Sequence, residues 1–213
     1  MTTDLSLGIF TIIILILSVI MHEVAHGYAA YMLGDPTAKL QGRLTLNPIA
    51  HIDLFGSIIV PALLVLSGTG VLFGWAKPVP YNPYNLRNQR WGEAIVGSAG
   101  VATNILLALL FTVVTRIALA HGFELFSNLA ASVVLVNLSL GLFNLIPIPP
   151  LDGYTVLRGL LPLRFSLSFR EIEQRIFGQS ILTRLVILFV FVYLFSTPFY
   201  YLIEWLFHIL VGA

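Results

Sequence analysis

Residues His22-Glu23-Val24-Ala25-His26 place two imidazoles four positions apart with a carboxylate beside the first. On a helix, positions i and i+4 share one face, so His22 and His26 can offer two ring nitrogens to a single metal ion. Glu23 then stands where it can take a proton from a water at that metal without binding the metal itself. This is the HExxH pattern of zinc hydrolysis. Two histidines leave a zinc short of ligands, and a third protein donor must come from elsewhere in the chain.

The elements that carry this turn are membrane elements. An apolar stretch runs from Leu5 to Leu33, and Leu7 to Met21 holds no ionisable side chain. That length suits a bilayer-spanning helix of about 20 residues. Ionisable groups at such depth are rare because they cost several kcal/mol unless paired, so three within five residues mark a site. A polar cluster that only joins helices, with Glu23 paired to a histidine, is the plainer alternative. The whole chain is 58% hydrophobic and 10% charged, with mean hydropathy +0.93. Soluble domains carry about a quarter charged residues, so an integral membrane protein is expected. Without cysteine there is no disulfide, thiol nucleophile or Cys-held metal, and a net charge of +1 gives no reason to expect nucleic acid. The first apolar run lacks a basic leader and holds the metal motif itself, so it is expected to remain rather than be cleaved as a signal peptide.

Hydropathy predicts spans at Leu7 to Leu33, Ala94 to Leu119, Leu125 to Ile146, and a tract from Ile181 to Val211 broken near Pro198. The chain reads as one integral membrane domain, residues 1–213, with a core at 8–160 and C-terminal hydrophobic helices at 180–211. Of the eleven basic residues, all but Arg116 fall within 34–92 and 154–184. The positive-inside rule puts both blocks in the cytoplasm. The apolar stretch Phe55 to Phe73 then cannot cross, and Gly56, Pro61, Gly68 and Gly70 fit a re-entrant or interfacial segment. This topology sets the metal motif in the cytoplasmic half of its helix, in a multi-pass protein of the cell membrane.

The third ligand should lie at the same depth. Asn144-Leu145-Ile146-Pro147-Ile148-Pro149-Pro150-Leu151-Asp152-Gly153 ends a span directed inwards. Its three prolines stop the helix before Asp152, which makes this carboxylate the candidate. An ordinary Asp-Gly turn would explain the dipeptide alone; its pairing with His22 and His26 favours the ligand.

These residues resemble the site-2 proteases, intramembrane zinc metalloproteases that cleave other proteins' transmembrane segments. HEVAH at 22–26 and NLIPIPPLDG at 144–153 are similar to the family's two signatures in their expected order. GRLTLNPIAHID at 42–53 and GWAKPVP at 74–80 are similar to its compact branch without PDZ domains, and the likeness extends over residues 8–160. The resemblance implies one Zn2+ held by His22, His26 and Asp152, Glu23 as acid/base, and transmembrane proteins or peptides as substrates. The family's Gly-Pro before the core-helix Asn is here Gly100-Val101-Ala102-Thr103-Asn104, without the proline, which bears on local backbone geometry. Asn104 and Asn144 fall near the metal's depth. Each can donate to an oxyanion or hold substrate, and each can equally serve as an interhelical hydrogen bond.

The expected fold is an all-α polytopic membrane protein with a short membrane-associated β element between the first helix and the core helix that follows. Gly42 to Asn47 alternates in strand fashion, and Trp75 to Tyr81, with Pro78 and Pro80, has the look of an edge that an extended substrate could join. His51 and Asp53 offer either a second metal pair or structural contacts. His121 and His208 read as interfacial residues. Two other functions stay open: a zinc transporter, which needs exchangeable ligands along a path that the other spans lack, and a non-catalytic binding module, which has no use for Glu23. Oligomeric state cannot be read from the chain.

Overall fold

The computed structural model describes residues 2–60, 75–162 and 181–212, with scattered residues of 63–66 and 165–175. Five principal helices follow one another: α1 (Thr2–Met32), α2 (Gly92–Ala120), α3 (Glu124–Asn144), α4 (Asp152–Leu160) and α5 (Ile181–Val211). Among the described residues, four segments are long and apolar enough to cross a membrane: Ser6–Met32, Gly92–Ala120, Glu124–Asn144 and Tyr193–Val211. The first three agree with the hydropathy reading to within a few residues. The break expected near Pro198 is not there, because α5 continues through it as one helix. A proline frees one carbonyl only, a defect that spanning helices tolerate.

α2 is the middle of the bundle and packs against α1, α3, α4 and α5. Its buried positions are mostly small (Gly92, Ala94, Gly97, Gly100, Ala108, Thr112, Thr115, Ala118), which lets neighbouring backbones approach closely. Apolar side chains such as Ile12, Ile13, Ile16 and Leu17 of α1 and Leu106, Leu110 and Val113 of α2 face outwards, as lipid contact requires. Successive spans alternate in direction. The end of α1, the start of α2 and the end of α3 therefore meet on one side of the bundle, where α4 also sits.

The connection from α1 to α2 differs from the sequence expectation. Among the described residues there is no strand, so the predicted β element is absent. Gly42 to Asn47 passes through turns and bends. Trp75 to Tyr81 lies without regular structure, and the amides of Trp75, Lys77 and Val79 go to three separate acceptors. The Trp75 amide goes to Gly56 O (3.0 Å) and the Lys77 amide to His51 O (2.9 Å). The Val79 amide goes to the Glu23 carboxylate (2.8 Å). Pro78 and Pro80 have no N–H, so none of these five positions has a donor left for a ladder. A substrate strand would likewise find the Val79 amide occupied. Of Phe55 to Phe73, the start forms a π-helical turn, Leu54–Ile59, capped by Asp53; most of the remainder lies outside the described residues.

Candidate active site

Ser18, His22 and His26 recur every four residues on α1, and all three are buried. That stripe faces α2. Gly100 makes the approach possible: a Cβ there would overlap His26 Nε2 and would stand 2.6 Å from His22 Nε2. Asp152 opens α4, where a negative charge suits the helix N-terminus. The tight turn behind it also demands glycine, since a Cβ on Gly153 would run into the Leu145 carbonyl.

The three predicted ligand residues converge. His22 Nε2 and His26 Nε2 are 3.0 Å apart, and Asp152 Oδ2 lies 2.8 Å from the first and 3.2 Å from the second. The ring planes are set at 84°. Among the described residues, this trio is the group of three His, Asp or Glu side chains able to hold a metal ion.

The donor set fits zinc. His26 Nδ1 lies 2.6 Å from the Val96 carbonyl, which can only accept, so that nitrogen carries the proton. His22 Nδ1 is likewise bonded to Asn104 Oδ1 at 2.5 Å. Both Nε2 atoms are then bare, and Asp152 Oδ2, buried between them, has no hydrogen-bond donor of its own. Three lone pairs facing one another in an apolar interior call for a cation. Two imidazoles and one carboxylate oxygen are a donor set that zinc takes in hydrolases, with a position left open.

Glu23 is half-buried one residue along, its carboxylate pinned by the Val79 amide. Arg43 secures that contact from behind. Its Nη2 donates to Lys77 O (2.8 Å) and Pro78 O (3.2 Å), immediately before Val79. Asp35 anchors the far side of the same loop, accepting from the Asn82 amide (2.6 Å), Asn85 Nδ2 (2.8 Å) and Thr37 Oγ1 (2.5 Å). Burial pushes its carboxyl pKa up, but these donors outweigh it and hold the group below the usual carboxylate range.

Arg158 fixes the helix that carries Asp152. It bridges Glu93 at the start of α2 (2.7 Å) and Glu173 (2.7 Å). Burial works against its charge, yet the two carboxylates hold it more firmly protonated.

Asn104 is fully buried beside the trio with both ends of its amide engaged, Oδ1 to His22 and Nδ2 to Asn137 Oδ1 at 2.9 Å. These contacts make it a support for His22. Asn144 donates Nδ2 to Leu140 O of its own helix at 3.0 Å. For His51 and Asp53 the contacts are those of the structural reading: His51 Nε2 bonds Thr45 O, and Asp53 Oδ1 accepts from the Gly56 amide. The residues that sequence reasoning missed are Ser18, Asn137, Arg43 and the amide of Val79. Ser18 left a signal, lying one turn before His22 on the same face, and Asn137 is a polar residue inside an apolar span.

The family model for Peptidase family M50 matches residues 116–192, a stretch that includes Asp152 but not the histidine turn. YwhC of Bacillus subtilis, by its name a candidate zinc metalloprotease, is 42% identical over 165 residues, 74% of this chain and 72% of that protein. Rip2 of Mycolicibacterium smegmatis, a candidate zinc metalloprotease likewise, is 30% identical over 152 residues, covering 70% of this chain and 57% of its own. The zinc metalloprotease MJ0392 of Methanocaldococcus jannaschii is 26% identical over 155 residues, 72% and 34% of the two chains. No solved structure matches.

Proposed function

The chain belongs to peptidase family M50, the site-2 proteases, and is a zinc metalloprotease; on that premise we propose that it cuts transmembrane segments of other proteins within or beside the bilayer. The carrying observation is the trio itself, two bare imidazole nitrogens and an orphaned carboxylate oxygen no more than 3.2 Å apart inside an apolar bundle. We assign His22, His26 and Asp152 as the ligands of one zinc ion. When bound, zinc supplies Lewis-acid polarisation of the scissile carbonyl and acidifies water to a pKa near about 7.

The remaining chemistry belongs to the chain. Glu23, held by the Val79 amide, takes the proton of the attacking water and passes it to the leaving amine. Asn144 is the better placed of the two asparagines to meet substrate or oxyanion, because its amide is bonded only to a carbonyl one turn back in its own helix. That bond can be exchanged, whereas Asn104 is committed at both ends. The apolar surroundings exclude competing water and strengthen each of these contacts.

The basic residues near the site, Lys39, Arg43, Lys77, Arg87 and Arg90, support placing it towards the cytoplasm of a plasma-membrane protein. A single cysteine introduced near Asn85 should be labelled only after the membrane is opened; external labelling in intact cells would reverse the orientation. For the activity, Glu23→Gln should keep one zinc per chain and lower cleavage of a membrane-spanning peptide by about 10²–10⁴-fold. Cleavage at the wild-type rate would remove Glu23 from the chemistry.

A further inference from the structure

We infer that Asn137 is a positioning residue for the metal centre: acting through Asn104, it dictates which ring nitrogen of His22 carries the proton and which is left bare. The inference rests on the reading of His22 as a ligand. Its logic starts at a group with no choice. The Val133 carbonyl, 3.0 Å from Asn137 Nδ2, can only accept, so the Asn137 atom that faces it must be the amide nitrogen. Ser18 Oγ, also 3.0 Å from that nitrogen, turns its hydroxyl to suit.

Asn137 Oδ1 is thereby directed at Asn104, 2.9 Å away, which must answer with its Nδ2. Asn104 Oδ1 is then the atom left for His22 Nδ1. A neutral His22 donates from Nδ1 and keeps a lone pair on Nε2, 2.8 Å from Asp152 Oδ2. Turning either amide over would set oxygen against oxygen, and both asparagines are completely buried with no solvent to absorb the mismatch.

The two ligand histidines explain the need. His26 finds a backbone carbonyl, that of Val96, directly at its Nδ1. His22 has a side-chain amide there, and an amide has two ways round. Two side-chain amides, from α3 and α2, carry the polarity of the Val133 carbonyl to His22 on α1, which gives Asn137 a purpose beyond joining helices.

The test is zinc affinity, measured by chelator competition on the full chain in detergent. Asn137→Leu frees Asn104 to turn over and should weaken zinc by about tenfold or more. Asn137→Asp, neutral in this setting, still accepts from Asn104 and donates to Val133, so its affinity should stay within about threefold of wild type. A merely structural asparagine predicts the opposite order, since a carboxyl group fits an apolar interior worse than leucine. Ser18→Ala should change little, because the Val133 carbonyl remains. The proposal is overturned by wild-type affinity in Asn137→Leu or by Asn137→Asp binding more weakly than Asn137→Leu. Unchanged zinc binding in His26→Ala and Asp152→Ala would instead remove the metal-site reading on which it rests.

Discussion

Two interiors of this bundle differ in kind. Around the histidine turn, the buried groups are His22, His26, Asn104, Asn137, Arg43 and Arg158, and each is bonded to an element distant in sequence. Where α5 docks on α2 and α3, the buried groups are Ala108, Val134, Leu138, Ile203 and Val211, with Phe111, Phe199 and Leu206 against them. The buried hydroxyls farther along α2 turn back on their own helix: Thr112 and Thr115 donate to Ala108 O and Phe111 O. A hydroxyl satisfied by its own helix leaves the position of its neighbours free. A bond between elements fixes it. The first region is therefore determined in geometry, while the second is held by van der Waals fit, which is what a bilayer leaves to apolar helices.

Breaking the determined region should remove metal, and breaking the packed one should not. The largest effect is expected from Gly100→Ala, whose added carbon enters the space of the histidine pair; zinc affinity should fall by about 100-fold or more. Metal analysis would test it, and a full zinc complement would mean the helices separate without harm. Next, Arg158→Ala removes the cation that Glu93 and Glu173 share and should destabilise the protein by about 3 kcal/mol. It should weaken zinc as well, since Asp152 begins the same helix. Ile203→Ala in the α5 seam should cost about 1–3 kcal/mol, less than in water because no hydrophobic transfer is lost between lipid and helix. Thermal unfolding with and without zinc separates the two: the stabilisation that zinc gives should shrink in Arg158→Ala and stay at its wild-type size in Ile203→Ala.

The same contrast explains what the sequence disclosed. Spans come from hydropathy, and the histidine turn from spacing along one helix, so both are local and were legible. Asp152 was found because prolines end its helix at the right depth. Asn137 meets partners 33 and 119 residues away, and no local pattern announces that. The error at Trp75 to Tyr81 has a related cause. Alternation and prolines do indicate backbone outside a helix, but they do not reveal whether its amides find another strand or single acceptors. Here the acceptors are Gly56 O, His51 O and the Glu23 carboxylate. Arg116, the lone basic residue outside the two blocks, was left without a role; it donates to Ile209 O and Leu210 O, closing the C-terminal end of α5.

Arg43 tests where the determined region stops. It is buried, its Nε has no partner, and its Nη2 grips the carbonyls of Lys77 and Pro78. Its hydrogen bonds reach neither a ligand nor Asn104, so zinc should not depend on it. What depends on it is the setting of the backbone that presents the Val79 amide to Glu23. Arg43→Met keeps much of the volume and removes every donor. The expected result is one zinc per chain with kcat lower by about tenfold, the smallest effect in the series. Lost zinc would extend the ligand support as far as the Lys77–Val79 backbone; unchanged kcat would show that the Val79 amide holds Glu23 without help from behind.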